Sequence, residues 1–431
     1  MNEPRLPSSM RLLLTGYNLL WPVAVPLLLA SSRVREGLGR RMVHTYRAAP
    51  ADVWIQAAST GEAAIAAEIV RSWPTSQPLS FVVTTNTLQG MEVLKQVQPP
   101  GHSRLTRAYC PLDSRKQVRK FLKAFKPSLL VLLETELWPI MLHTCKQESM
   151  PVLLLNARLS AHSLAQYLML PDLWPPLAPD EILAVSEWEA ERYAVLFDRD
   201  RPQTMPNIKF DRCSSEPPVP YVHNPLSDYI KAQSRFIVFG SVRREEESSV
   251  LPVISRLLQE HPRSIIGVFP RHLNRLPAWQ QGLKQLDIPF QLRSKLSGQI
   301  TQGTVVLWDT FGELEYAYAL ARTAFVGGSL APLGGQNFLE PLSQGVIPII
   351  GPHWHHFDWV GQDIVHNGLV TQVHSLEELQ QALLSASSSP PERETVHNQF
   401  LEFVQARRGG TQTAVRTIRS SLAGLRRAPR L

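Results

Sequence analysis

Residues 309–351 read DTFGELEYAYALARTAFVGGSLAPLGGQNFLEPLSQGVIPIIG. An acidic turn leads into a helical pattern, then an apolar run that stops at Phe325-Val326-Gly327-Gly328, then a second glycine pair at 334–335. Asn337, Glu340 and Pro341 follow, and Val346–Ile350 is again apolar. Short apolar runs separated by helical patterns predict parallel strands buried on both faces. A strand that ends on paired glycines and feeds a helix lets backbone N–H groups approach a phosphate. A carboxylate one turn into that helix, Glu340, can accept two hydrogen bonds from a vicinal diol such as ribose. Glycine pairs also make ordinary turns, and that reading stands beside the first.

The same alternation runs through the chain on both sides. Strands are expected at Val53–Ala58, Leu79–Thr84, Ser128–Leu133, Val152–Leu155 and Glu181–Val185, with helices after most of them. Residues 213–226, CSSEPPVPYVHNPL, are proline-rich without period and predict a linker. Strands then resume at Phe236–Phe239, Ser264–Phe269, Thr304–Leu307, Thr323–Val326 and Ile347–Ile350, and a helical tail is expected from about Leu376. The predicted fold is α/β, with two Rossmann-like doubly wound domains. Ligands belong at the carboxyl ends of such strands, facing a shared cleft. The expected boundaries are a membrane-associated segment 1–45, a first domain 46–212, the linker, a second domain 227–405 and a basic tail 406–431.

A chain of 431 residues is too long for one core, and three dispersed cysteines fit a reducing compartment. The net charge of +7 is concentrated toward the two ends. Such clusters suit an anionic membrane face or a phosphorylated substrate; no nucleic-acid-binding motif accompanies them. Leu12–Ala30 is apolar and uncharged and would be ~28 Å long as a helix. Arginines follow at once and would hold that side in the cytoplasm. A retained anchor, spanning or interfacial, is expected over a cleaved signal.

Several strand ends carry candidate chemistry. Ser59-Thr60-Gly61-Glu62 places a carboxylate at a helix start, either as general base or as half of a capping box. Glu134-Thr135-Glu136-Leu137-Trp138-Pro139 closes a buried strand with two acids, which would share a face if the strand continued. Arg158 is available to either acid, and a plain buried salt bridge is the competing reading. Lys209 could offset developing negative charge or be solvated beside Asp211. Arg271, directly after a strand and before His272, offers a planar fork for phosphate. In Asp309–Leu314, Gly312 and nearby N–H groups could face a base, whereas Glu313 could be only a cap. The lone Asp-x-Asp at 198–200 ends a helix in a polar turn with no strand before it, which argues against a metal–diphosphate role, and His353, His355 and His356 lack zinc-site spacing.

Taken together, the blocks STGE at 59–62, ETELWP at 134–139, NARLS at 156–160, NIKFD at 207–211, PRH at 270–272, DTFGEL at 309–314, FVGGSL at 325–330, GGQN at 334–337 and LEP at 339–341 resemble one family in order. That family is the 3-deoxy-D-manno-oct-2-ulosonic acid (Kdo) transferases of lipid A assembly. The resemblance implies a GT-B glycosyltransferase without a catalytic metal or other cofactor. It implies CMP-Kdo as donor, a lipid A precursor as acceptor, and work at the anionic cytoplasmic face of the inner membrane. By motif, Glu62 is implied as base, and Glu134 and Lys209 as transition-state stabilisers in an inverting displacement. Pro270, Arg271, Phe311, Gly312, Glu313, Asn337, Phe338, Leu339 and Glu340 are implied to bind CMP. This chain departs from the family at Gln56 (usually His), Pro206 (usually Gly), the 241–246 loop and Gln336 (usually His). A transferase for another nucleotide-sugar and a non-catalytic homologue are the alternatives.

Overall fold

A computed structural model describes residues 10, 12–19, 21 and 49–427. The chain divides into two compact units: residues 1–212 with 407–431, and residues 213–406. Each is built on a seven-stranded, all-parallel sheet.

In the first unit the strands are β1 (Val53–Gln56), β2 (Ser80–Thr85), β3 (Arg104–Tyr109), β4 (Leu129–Leu133), β5 (Val152–Ala157), β6 (Glu181–Ala184) and β7 (Gln203–Thr204), in the order β3-β2-β1-β4-β5-β6-β7. The order reverses between β1 and β4, which makes the crevice at the carboxyl ends of these two strands the switch point where a doubly wound sheet receives ligands. Burial on both faces shows in β4. Leu130 and Leu132 enter one core, while Leu129, Val131 and Leu133 enter the other. Phe121 stacks on Trp54 at 4.4 Å in the first of these cores, and truncating such a ring typically costs about 3–5 kcal/mol.

Strand β3 was not anticipated. Its polar residues at Arg104, Thr106 and Arg107 break the apolar run, as an edge strand permits because one side meets water. The helix Arg115–Phe125 was missed for a similar reason: only Val118, Phe121 and Phe125 are buried, and Arg115, Lys116, Arg119, Lys120 and Lys123 stand between and around them.

The tail expected at 406–431 is helical over Gly410–Arg427 and belongs to the first unit. Gly410–Arg427 is a helix whose Ala414, Ile418 and Leu422 recur every four residues and pack into the second core of the first unit. Arg416 and Arg419 lie on its exposed side.

In the second unit the strands are β8 (Phe236–Val242), β9 (Ile265–Pro270), β10 (Phe290–Leu292), β11 (Val305–Leu307), β12 (Thr323–Val326), β13 (Pro348–Ile350) and β14 (Thr371–Gln372), in the order β10-β11-β9-β8-β12-β13-β14. The same alternation holds: Ile237 and Phe239 face one core, Phe236 and Val238 the other. The short edge strands β7, β10 and β14 have too few residues to show a period.

No helix among the described residues is long and apolar enough to cross a membrane. The expected apolar segment lies largely outside the described residues. Within it, residues 12–19 are helical; Met10 and Leu14 join the first core, whereas Leu12, Leu13 and Leu19 are exposed.

Candidate active site

The first unit gathers its charged groups at the carboxyl ends of β1, β4 and β5. After β1 the chain turns through Ser59 into the helix Thr60–Arg71. The capping reading of Glu62 is visible in its hydrogen bonds. The Ser59 hydroxyl accepts from the Glu62 N–H at 3.2 Å and donates to Glu62 Oε1 at 2.8 Å, while Ala58 N–H donates to Oε2 at 2.8 Å. Ser59 therefore caps the helix, and the return bond comes from the Ala58 N–H one residue before the cap, which fixes the carboxylate without using all its lone pairs. Burial first, and then the charge of Glu136, push the Glu62 carboxyl up to about 7.

Glu134 and Glu136 do not share a face. Strand β4 ends at Leu133, and Glu134 takes a left-handed φ of 55°, so the two acids diverge. Glu134 Oε1 lies 2.6 Å from Lys209 Nζ and 3.9 Å from Arg158 Nη1, and Arg158 Nε reaches Glu189 Oε1 at 3.8 Å. Burial pushes the Lys209 ammonium down, while the Glu134 charge pulls it back up. The Tyr193 hydroxyl reaches the carbonyl oxygens of Glu134 and Arg158 at 3.1 and 2.8 Å, pinning the strained turn.

Glu136 faces elsewhere. Its Oε2 accepts from Trp138 Nε1 at 2.6 Å and from Gln56 Nε2 at 3.2 Å. The fully buried Gln56 accepts in turn from the Thr84 hydroxyl, which accepts from Trp54 Nε1 at 2.8 Å. The amide at position 56 therefore donates on one side and accepts on the other, a task a glutamine performs without titrating.

Lys209 sits on the short helix Ile208–Asp211, which is tied down at three points. Asn156, buried and at φ 52°, accepts from the Ile208 N–H at 2.9 Å. Asn207 caps the turn by accepting from the Lys209 N–H at 3.0 Å. The Asp211 carboxylate accepts from the N–H groups of Gly409 and Thr411 at 2.7 and 2.6 Å, so it anchors the C-terminal helix instead of neighbouring Lys209 in solvent. A Cβ at Gly410 would lie 2.3 Å from the Pro206 carbonyl oxygen and 2.7 Å from the Ile208 nitrogen, so only glycine fits there. Asn156, Tyr193, Glu189 and Asp211 had no individual signal in the sequence, because their work is done across long separations.

In the second unit, Pro270, Arg271, Phe311, Gly312 and Glu313 line one cavity of about 200 Å³, together with Ser241. It opens at the carboxyl ends of β8, β9 and β11, which are neighbours in the sheet. Phe311 is 79% exposed, and Gly312 holds a φ of 85° with open space around it. The Glu313 side chain is fully occupied: it accepts from Arg293 Nε and Nη2, Trp308 Nε1 and the Thr310 hydroxyl, all within 2.8–2.9 Å. Any part Glu313 takes in binding falls to its backbone.

The expected phosphate approach at Gly327-Gly328 is overturned. No helix starts there, and the next one begins at Leu339. The N–H groups of Gly328, Ser329 and Leu330 donate to the buried Glu246 carboxylate at 2.6, 2.9 and 2.9 Å. Arg243 N–H adds a fourth donor at 3.1 Å. The loop is built around an anion, but the anion is the protein's own. The second glycine pair lies nearer the cavity, where Gln336 Oε1 accepts from Arg271 Nε at 3.1 Å. Asn337 Nδ2 donates to Glu340 Oε1 at 2.9 Å, and burial raises the Glu340 carboxyl. The side chains of Phe338 and Leu339 are buried, Phe338 against Trp354 and Phe357, so these two present backbone alone.

Two parallel doubly wound units with functional groups at the strand ends are the architecture of the GT-B glycosyltransferases. A crystal structure of a glycosyltransferase from Rickettsia africae superposes with a TM-score of 0.53, at 9% identity, covering 87% of this chain and 99% of that one. The sequence model described as 3-deoxy-D-manno-octulosonic-acid transferase (kdotransferase) matches residues 32–212. A 3-deoxy-D-manno-octulosonic acid transferase of Haemophilus influenzae is 31% identical over 397 residues, 89% of this chain and 90% of the relative. One of Bordetella pertussis is 29% identical over 84% of this chain and 85% of its own length. The chain belongs to the 3-deoxy-D-manno-octulosonic acid transferase family and is a glycosyltransferase.

Because Glu246 satisfies three consecutive N–H groups, Glu246→Ala is expected to destabilise the second unit by roughly 3 kcal/mol or more. Limited proteolysis should then nick the 327–337 loop, with Glu246→Gln intermediate. Unchanged denaturation and proteolysis in Glu246→Ala would contradict this account.

Proposed function

We propose that the chain transfers Kdo from CMP-Kdo to a lipid A precursor, without a cofactor, at the anionic cytoplasmic face of the inner membrane. The observation that carries the mechanism is Glu62: a carboxylate held by two hydrogen bonds, near a sheet switch point, with its pKa at about 7. A base so placed is half ionised near neutral pH and strong enough to take a proton from a hydroxyl in the transition state. The proton of the acceptor hydroxyl passes to Glu62 as its oxygen bonds to the anomeric carbon. The bond from that carbon to the CMP phosphate oxygen breaks with inversion, and the electron pair leaves with CMP.

The Glu134–Lys209 pair supplies a fixed, partly buried cation beside this carboxylate; Lys209 senses the charge of Glu62. Such a preorganised charge stabilises a transition state without reorientation. The cavity lined by Arg271, Phe311 and Gly312 is the CMP site in this reading, with the Arg271 guanidinium toward the phosphate and Glu340 toward the ribose. For the membrane, the exposed Leu12, Leu13 and Leu19 lie on a helical stretch bonded to a basic helix through Arg115 N–H and Asn18 Oδ1. That basic helix exposes Lys116, Arg119, Lys120 and Lys123. Apolar and cationic groups together suit an anionic lipid surface.

Incubation with CMP-Kdo and the tetraacylated disaccharide acceptor should add the mass of Kdo to the acceptor. Glu62→Gln should lower that rate by about 10²–10⁴-fold and leave CMP binding intact; normal turnover in the variant would reject the base. Since the carboxylate form is the active one and its pKa is raised, the rate should climb with pH through about 7 and be lost below it. Glu136→Gln removes a charge that raises this pKa, so the acid limb should move to lower pH; an unmoved limb assigns it to another group. Sedimentation with anionic vesicles, and much less with neutral ones, is expected of the full chain. Equal partitioning would rule out the charged surface.

A further inference from the structure

Whereas the Arg271 cavity lies at the carboxyl ends of the strands of the second sheet, a second cavity, of about 430 Å³, lies at their amino ends. Its lining residues come from the turns that enter four adjacent strands. Arg235 directly precedes β8, Arg263 and Ser264 precede β9, and Arg322 precedes β12, with β11 completing the row. His261 and Glu260 also line it. The acid is already committed, since Glu260 Oε1 pairs with Arg256 Nη2 at 3.0 Å. Among the described residues, Arg235, Arg263 and Arg322 have no carboxylate within ion-pair distance. The Arg322 guanidinium makes long contacts, 3.3 and 3.5 Å, to the carbonyl oxygens of Gln233 and Ser387.

A second observation points the same way. Ser264 is fully buried, lines this cavity, and its hydroxyl has no hydrogen-bond partner. A buried hydroxyl is rarely left without one. Three guanidinium groups and one unpartnered hydroxyl around a single concavity outweigh its one committed carboxylate, and a lining so rich in donors suits phosphate oxygens. We propose that this cavity binds a phosphate-bearing anion, a diphosphate or a small phosphate ester, at a site separate from the one that holds the sugar donor. Its place at the amino ends of the strands keeps it apart from the transfer chemistry and makes it a site for a regulatory anion.

Inorganic pyrophosphate is the probe. Calorimetric titration of the full chain should show one site that survives Arg271→Gln, which alters the other cavity. The double variant Arg235→Gln/Arg263→Gln should weaken it by roughly ten-fold or more. Should the double variant fold poorly, Arg263→Gln alone, at an exposed position, is expected to weaken binding measurably. No binding to the wild-type chain overturns the proposal, as does binding that the double variant retains or that Arg271→Gln alone removes. Vesicles with and without phosphatidic acid separate the sources of the phosphate. Capture on phosphatidic acid that requires Arg235 and Arg263 assigns the site to a lipid phosphate, and pyrophosphate binding without such capture assigns it to a soluble anion.

Discussion

A parallel strand buried on both faces has no place for an ionised side chain, because either face would strip the charge of water. Charge is therefore driven to the points where strands stop. In the first unit β4 is five apolar residues, all fully buried, and the next residue is Glu134. The same exclusion puts Gln56 and Glu62 beyond the apolar part of β1 and Arg271 just past β9. The ion pair of Glu134 with Lys209 is the result: two costly charges kept only because each neutralises the other and both remain partly wet. Neighbouring strands ending level with one another turn separate sequence blocks into one cluster.

This is also why much of the site was legible in the sequence. A strand end is a local event, written as an apolar run followed by a charge, and Glu62, Glu134, Arg271 and the Phe311–Glu313 turn could be placed from it. What could not be read were the groups that hold these residues in position. Asn156 supports Ile208 across 52 positions, and Asp211 grips Gly409 and Thr411 across about 200. Nothing local distinguishes such an asparagine or aspartate from one on the surface. Edge elements failed for another reason: β3 and the helix Arg115–Phe125 meet water on one side, so their apolar residues are too few to outweigh the charges between them.

The glycine-rich loop after β12 shows how a correct local inference can mislead. Its N–H groups do converge on an anion, as the paired glycines suggested. The anion is Glu246, more than eighty residues earlier in sequence, and the geometry that would accept a phosphate is used to fasten β12 to the turn after β8. A Cβ at Gly327 would come within 2.7 Å of the Ser241 carbonyl oxygen, so glycine there serves close backbone packing. The cavity at these strand ends is bounded by Arg271 and Phe311, with the second glycine pair reaching it through Gln336.

The helix Gly410–Arg427 belongs to the first unit but is made after all of the second. During synthesis, residues 49–212 leave the ribosome with Ile65, Ile69 and Val415's future neighbours still facing solvent, and the turn bearing Lys209 still lacking its grip on Gly409. Domains ordinarily mature in the order they are translated. Here the earlier one must wait for the last helix, so an incomplete chain carries the acid and the lysine without the scaffold that sets their spacing. Premature termination anywhere in the second unit thus leaves neither half finished, a built-in check that ties maturation of the first unit to arrival of its last helix.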